Sequence, residues 1–121
     1  MAETALEGLG YKDRELSVLL TDDAGIRELN LRFRGKDKPT DVLSFPMEDP
    51  SLLGDIAISM ERAWAQAAEF GVSEDEELAR LLVHGILHLA GHDHVKGGRQ
   101  ARKMKENEEM LMRLLREKGL Y

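Results

Sequence analysis

Residues 73–94 read SEDEELARLLVHGILHLAGHDH, a stretch that contains all four histidines of the chain. Ser73 followed by Glu76 forms a capping box, and the acidic residues after Ser73 suit the positive end of a helix dipole. The following run is largely apolar, which predicts a buried helix over residues 74–90 that stops at Gly91. The stretch therefore predicts a capped helix whose last turns carry histidines.

The histidines have the spacing of ligands to one metal ion. His84 and His88 lie four residues apart, so on a helix they share one face. Gly91 allows a sharp turn with positive φ, after which His94 can return to the same ion. This is the metzincin protease spacing, H-x-x-x-H-x-x-G-x-x-H, and three imidazoles with an open position are typical of catalytic zinc. Incidental histidines are the alternative, but burying three of them is costly unless a partner satisfies them.

Three other residues of the motif qualify this interpretation. Gly85 stands where metzincins carry their catalytic glutamate, which argues against a peptidase. His92 is expected to be mostly exposed. Asp93 could orient a ligand histidine or cap the turn, and the sequence does not decide between these roles.

We predict one Zn²⁺ ion per chain, although imidazole also suits nickel, copper and iron.

A basic segment, RFRGKDKPTDVLSFP, occupies residues 32–46. Arg34 lies at a predicted helix end, and its planar guanidinium suits bidentate phosphate contact. Lys36 and Lys38 extend the positive charge, although a solvated loop would have the same composition. The net charge of −6 argues against a nucleic-acid coat protein, but local basic surface can bind phosphates because distant charges are screened.

The composition predicts one globular domain. The chain has 121 residues, of which 42% are hydrophobic and 33% charged, and it contains no cysteine. No apolar run approaches the roughly 20 residues that span a bilayer, and residues 1–10 do not resemble a secretory signal. We therefore expect a soluble cytoplasmic protein that has no membrane partner.

The apolar patterns predict strands interleaved with helices, in one sheet layer covered by helices. On the second helix, Ile26, Leu29 and Phe33 follow near-helical spacing as its apolar face. Thr21 or Asp22 would cap this helix. The predicted helices span residues 2–9, 22–34, 60–69, 74–90 and 98–118, and the predicted strands span residues 15–21, 41–45 and 54–59.

Three segments resemble the YbeY endoribonuclease family, the rRNA maturation factors. Residues 84–94 match its signature H-G-x-L-H-L-x-G-[aromatic]-D-H except at His92, and residues 29–46 and 53–59 are also similar. The resemblance implies an α+β fold, a small mixed sheet packed with several helices, in which the central helix carries the metal motif. Family members usually have another strand before the segment equivalent to residues 1–10. The resemblance thus implies that an N-terminal strand is missing here and that a sheet edge is exposed.

The resemblance also implies a function, a zinc-dependent, single-strand-specific endoribonuclease in rRNA maturation and ribosome quality control. It implies His84, His88 and His94 as the zinc ligands and Arg34 as the catalytic arginine. Arg34 would stabilise negative charge on the phosphate, and Lys36 and Lys38 would position the strand. The implied partners are single-stranded RNA, chiefly the rRNA precursor, and the small ribosomal subunit or its proteins. The alternatives are a non-catalytic zinc-containing ribosome-assembly factor and a metallopeptidase.

Overall fold

The computed structural model describes residues 1–11, 13–47, 49, 51–91 and 98–121, with the side chains of all of these except 98–101. The described residues form five helices and three strands. In chain order these are α1 (Ala2–Gly8), β1 (Glu15–Thr21), α2 (Asp23–Arg34), β2 (Val42–Pro46), β3 (Leu52–Ser59), α3 (Met60–Phe70), α4 (Glu74–Leu89) and α5 (Gly98–Glu117).

The strands form one mixed sheet in the order β1-β3-β2. Strand β3 lies in the middle, parallel to β1 and antiparallel to β2. The central strand is buried on both faces, because Ile56 and Ile58 join the large core cluster while Ala57 packs with Ile26 on the other face. This two-sided burial explains the nearly continuous apolar run in β3. The predicted α+β fold with a small mixed sheet is confirmed.

Helix α4 carries the largest share of the core. Eight of its residues are buried, and it packs against α3, α5 and the sheet. Its start follows the predicted capping signal, since the Ser73 hydroxyl accepts a hydrogen bond from the Glu76 amide at 3.0 Å. The helix ends near Gly91, whose φ is +92°. The histidine-bearing helix is therefore anchored along its length by the hydrophobic core.

The strand boundaries differ from the prediction around Pro46. Strand β2 includes Pro46, which lies opposite Gly54, and β3 begins at Leu52 instead of Gly54. An edge strand tolerates proline because one side needs no ladder hydrogen bond. Gly54 has φ +149°, and a Cβ there would lie 2.5 Å from the Phe45 carbonyl oxygen. Only glycine therefore allows the two strands to approach this closely.

Helix α2 departs from its predicted apolar face at its last turn. Asp22 caps the helix by accepting a hydrogen bond from the Gly25 amide at 2.7 Å, and Ile26 is fully buried. Phe33, on the same apolar face, is 61% exposed, and its ring packs edge-on against Phe45. The near-helical spacing therefore predicted the helix correctly up to Arg34, but it did not indicate that its last apolar side chain is exposed.

Strand β1 forms one edge of the described sheet. It pairs with β3 alone among the strands that the structure describes, and Leu19 and Leu20 are each 52% exposed. That a further strand of the family is missing stays a prediction. None of the helices in the described parts of the chain is long and apolar enough to cross a membrane.

Candidate metal centre

His84 and His88 lie one turn apart on α4 and direct their imidazoles to the same point. Their Nε2 atoms are 3.1 Å apart, and the ring centroids are 4.6 Å apart at an interplanar angle of 67°. Two imidazole nitrogens on one tetrahedral zinc ion would be about 3.3 Å apart, given Zn–N bonds of about 2.0–2.1 Å. The two residues therefore fit a shared metal ion with little rearrangement.

Glu108 of α5 contacts the His84 ring at Nδ1, the nitrogen that faces away from His88. Its Oε1 lies 3.2 Å from His84 Nδ1, and the two side chains are 35% and 29% exposed. An ionised carboxylate only accepts hydrogen bonds, so Nδ1 must carry the proton of this bond. In a neutral imidazole, Nε2 is then left with its lone pair, the form that binds metal. This is the carboxylate–histidine arrangement that orients metal ligands in many metal sites.

Glu108 was not among the residues singled out in the sequence, although a signal for it was present. Met104, Leu111 and Leu115 form the buried stripe of α5, and Glu108 falls on the same stripe, four residues after Met104 and three before Leu111. A carboxylate on the apolar face of an amphipathic helix needs a buried or half-buried partner. That spacing could have identified Glu108, but only the structure shows that its partner is His84.

A cavity of about 330 Å³ opens beside the two histidines. Arg34 lines it from the end of α2, about fifty residues upstream of His84 in the sequence. Its Nη2 donates a hydrogen bond to the Ser44 carbonyl oxygen at 2.6 Å, and its Cζ lies 5.6 Å from the centre of the Phe45 ring. The structure thus brings together three of the predicted site residues, with Arg34 fixed along the outer edge of β2.

Lys36 and Lys38 lie in a neighbouring cleft of about 490 Å³, which shares Arg34 and Asp41 with the histidine cavity. The Lys38 carbonyl oxygen accepts a hydrogen bond from Asn30 Nδ2 at 2.8 Å, which ties this loop to α2. Neither lysine lines the histidine cavity itself. They are therefore placed to contact parts of a ligand that extend beyond the histidines and Arg34.

The same loop is held by an exposed ion pair. Arg27 Nε lies 2.7 Å from Asp37 Oδ1, and this hydrogen bond, together with the guanidinium charge, lowers the pKa of Asp37 from its ordinary value. Asp37 lies between Lys36 and Lys38 in the sequence, so the pair links this part of the loop to α2.

Gly85 faces the sheet. A Cβ at this position would lie 3.0 Å from Ile56 Cδ1 and 3.2 Å from Ser44 Oγ, and the Ser44 hydroxyl donates to the Gly85 carbonyl oxygen at 3.2 Å. Residue 85 does not line the histidine cavity. The missing protease glutamate therefore has a structural reason, because α4 packs closely on β2 and β3 at this point.

The third predicted ligand, His94, lies outside the described residues, as do His92 and Asp93. In the parts of the chain that the structure describes, no group of three or more potential metal-ligating side chains comes together. His84 and His88 are thus the described part of the predicted ligand set, and the ligand role of all three histidines stays a prediction.

Comparison with known proteins gives one consistent result. The family model described as Endoribonuclease YbeY matches residues 1–116. The Endoribonuclease YbeY of Aquifex aeolicus is 53% identical over 115 residues, which cover 92% of this chain and 77% of that protein. The Endoribonuclease YbeY of Geobacter metallireducens is 44% identical, covering 99% of this chain and 85% of the relative. The solution structure of TM1509 from Thermotoga maritima, 34% identical, has a TM-score of 0.69 and covers 93% of this chain and 74% of that one. The chain therefore belongs to the YbeY family.

Proposed function

We propose that this protein is a zinc-dependent endoribonuclease that cleaves single-stranded RNA, chiefly rRNA precursors, during ribosome maturation and quality control in the cytoplasm. Membership of a family whose model is described as Endoribonuclease YbeY supports hydrolysis of RNA. The observation that carries the proposal is the convergence of His84 and His88 in a cavity that Arg34 also lines. Imidazole pairs bind metals, and a fixed guanidinium binds phosphate.

Each residue has a separate task in this proposal. His84 and His88 hold the metal ion together with His94, and Glu108 keeps the His84 ring in the orientation and tautomer that the ion needs. When bound, the ion would supply Lewis acidity and would lower the pKa of a water molecule toward neutrality. Arg34 places positive charge beside the non-bridging oxygens of the phosphate, where negative charge builds up in the transition state.

The remaining basic residues position the RNA strand. Lys36 and Lys38 lie in the cleft that continues from Arg34, so they can contact phosphates next to the one that is cleaved. In this arrangement the RNA strand would run from the histidines past Arg34 toward residues 36–38. Asp93 is proposed as a further residue that orients a ligand histidine.

A non-catalytic role in ribosome assembly is the second candidate. It is favoured by one observation, the exposed cations Arg102, Lys103 and Lys105 on α5, none of which lines the histidine cavity. Such a surface can dock on RNA without any chemistry at the histidines. A peptidase is not supported, because Gly85 stands where a metzincin carries its catalytic glutamate and provides no side chain for that role.

The test combines metal analysis with cleavage of a single-stranded rRNA fragment. We expect His88→Ala to lose both metal and cleavage, and Arg34→Ala to keep its metal while its turnover falls about 10²–10³-fold. Arg113→Ala, an exposed cation on α5, is the matched control and should behave as the wild type. Chelation should abolish cleavage by the wild type. Cleavage that survives in purified His88→Ala would refute the metal-dependent nuclease, whereas the non-catalytic assembly role predicts that the wild type does not cleave RNA at all.

A further inference from the structure

An apolar groove of about 450 Å³ lies on the face of the sheet that α2 covers. Phe33 forms one of its walls, and its ring packs edge-on against Phe45 with the centroids 5.4 Å apart. At 61%, Phe33 is the most exposed of the large hydrophobic side chains that the structure describes. Leu19, Leu29 and Met47 are further apolar residues of the groove.

Arg34 lies between the groove and the metal cavity, because it lines the cavity and its guanidinium lies over the Phe45 ring of the groove. Phe45 belongs to the groove, whereas Ser44 lines the cavity, because neighbouring residues of β2 face opposite sides of the sheet. The Arg34 guanidinium spans both sides, since it bonds the Ser44 carbonyl oxygen and lies over the Phe45 ring. A phosphate held by Arg34 at the edge of β2 therefore has the metal cavity on one side and the apolar groove on the other.

Exposed cations flank the Phe33 end of the groove, whereas its lining also includes the Asp55 carboxylate. Phe33 stands between Arg32 and Arg34 in the sequence, and Arg32 is 65% exposed in spite of a 3.5 Å contact with Glu28. Single-stranded nucleic acid is bound by this combination, in which cations contact the phosphates and aromatic rings stack on the bases.

We propose that this groove receives an unstacked nucleobase of the RNA, next to the phosphate at Arg34, with Phe33 as the stacking surface. The inference rests on the proposed endoribonuclease function and adds a reason for its strand specificity. A base can enter the groove only after it leaves a duplex, because a paired base is stacked between its neighbours. Phe33 would thus be a binding residue that favours single-stranded over double-stranded RNA.

Substitutions of Phe33 test the stacking directly. The KM for cleavage of a fluorescently labelled single-stranded RNA should rise about 5- to 150-fold in Phe33→Ala, given the usual contribution of one base–aromatic stack, while kcat changes little. Phe33→Trp should retain or improve the wild-type KM. Phe33→Leu should resemble Phe33→Ala, since leucine keeps the apolar surface and lacks the aromatic face. Cleavage of a duplex of the same sequence should be equally slow in all of these variants.

Leu31→Ala is the matched control. Leu31 is 49% exposed on the same helix but lines a different cleft, beside Arg27 and Asp37. Circular dichroism and thermal melting of every variant establish that it is folded.

The outcomes separate this inference from the function on which it rests. If the wild type cleaves RNA and Phe33→Ala has the same KM as Leu31→Ala, base stacking is wrong and the endoribonuclease stands. A Phe33→Leu variant with the wild-type KM would likewise refute stacking. If Phe33→Ala changes only the oligomeric state in sedimentation, the groove is a protein interface. If the wild type does not cleave RNA at all, the proposed function fails and this inference with it.

Discussion

Removal of the Glu108 carboxylate should weaken metal binding more than it weakens the fold. Glu108 accepts the hydrogen bond that fixes the proton of His84 on Nδ1, at a distance of 3.2 Å. In Glu108→Ala the imidazole can rotate and exchange tautomers, so part of the population no longer presents the Nε2 lone pair beside His88. Glu108→Gln keeps an acceptor oxygen of the same size and removes only the negative charge.

The expected loss of zinc affinity depends on how far His84 and Glu108 are exposed to water. A hydrogen bond to a charged group contributes about 1.5–3 kcal/mol when it is buried, and about 1.4 kcal/mol corresponds to tenfold in affinity. Because His84 and Glu108 are 29% and 35% exposed, water replaces part of this contribution. We expect about tenfold weaker metal binding in Glu108→Gln and a larger loss, up to about 100-fold, in Glu108→Ala.

The assay is competition for Zn²⁺ with a chromophoric chelator, together with ¹⁵N NMR of the histidine rings in the absence of metal. The NMR spectrum should show His84 as the Nδ1–H tautomer in the wild type and a mixture of tautomers in Glu108→Ala. Glu109→Gln is the control, since Glu109 is the next residue of α5 and is exposed. Unchanged zinc affinity in Glu108→Ala, or an equal loss in Glu109→Gln, would refute the positioning role.

Two further predictions concern the packing of α4 and the loop before β2. Gly85→Glu should lower the free energy of unfolding by at least about 3 kcal/mol, because the carboxylate would face the sheet. It should not create peptidase activity. Its melting temperature should be well below that of Gly85→Ala. Asp37→Asn should be less stable than the wild type in urea at neutral pH. Since Arg27 lowers the pKa of Asp37 in the folded state, this stabilisation is present above the ordinary carboxylate pKa and is lost as pH falls through the lowered one. If the wild type and Asp37→Asn still had different urea midpoints at strongly acidic pH, the ionised Asp37 carboxylate could not be the source of the difference in stability.

Strong local signals made most of the fold predictable from the sequence. The capping box at Ser73 and the apolar run after it located α4 to within a residue, and the β-branched and leucine residues of β1 gave that strand its observed bounds. The prediction was least accurate where contacts between distant parts of the chain decide whether a residue joins a strand or is buried. Pro46 can join β2 because that strand is an edge, and Phe33 is exposed where its ring packs edge-on against Phe45 at the end of α2.

Some contacts of the candidate site could likewise be predicted from the sequence, and others could not. The i, i+4 spacing of His84 and His88 is a property of one helix, so the sequence was sufficient to predict that they share a face. The contact between Glu108 and His84 joins α4 to α5, and the position of Arg34 beside the cavity depends on how α2 crosses the edge of β2. Contacts of this kind are set by tertiary packing, which neither composition nor periodicity encodes.

The burial of α4 has a thermodynamic consequence. The helix that carries His84 and His88 also contributes eight buried residues, so its unfolding would remove the core and the two imidazoles together. Any ion that binds this pair in the folded protein therefore raises the free energy of unfolding by about 1.4 kcal/mol for each tenfold excess over its dissociation constant. A series of thermal melts with different divalent ions would then rank their affinities for the site, without an RNA substrate.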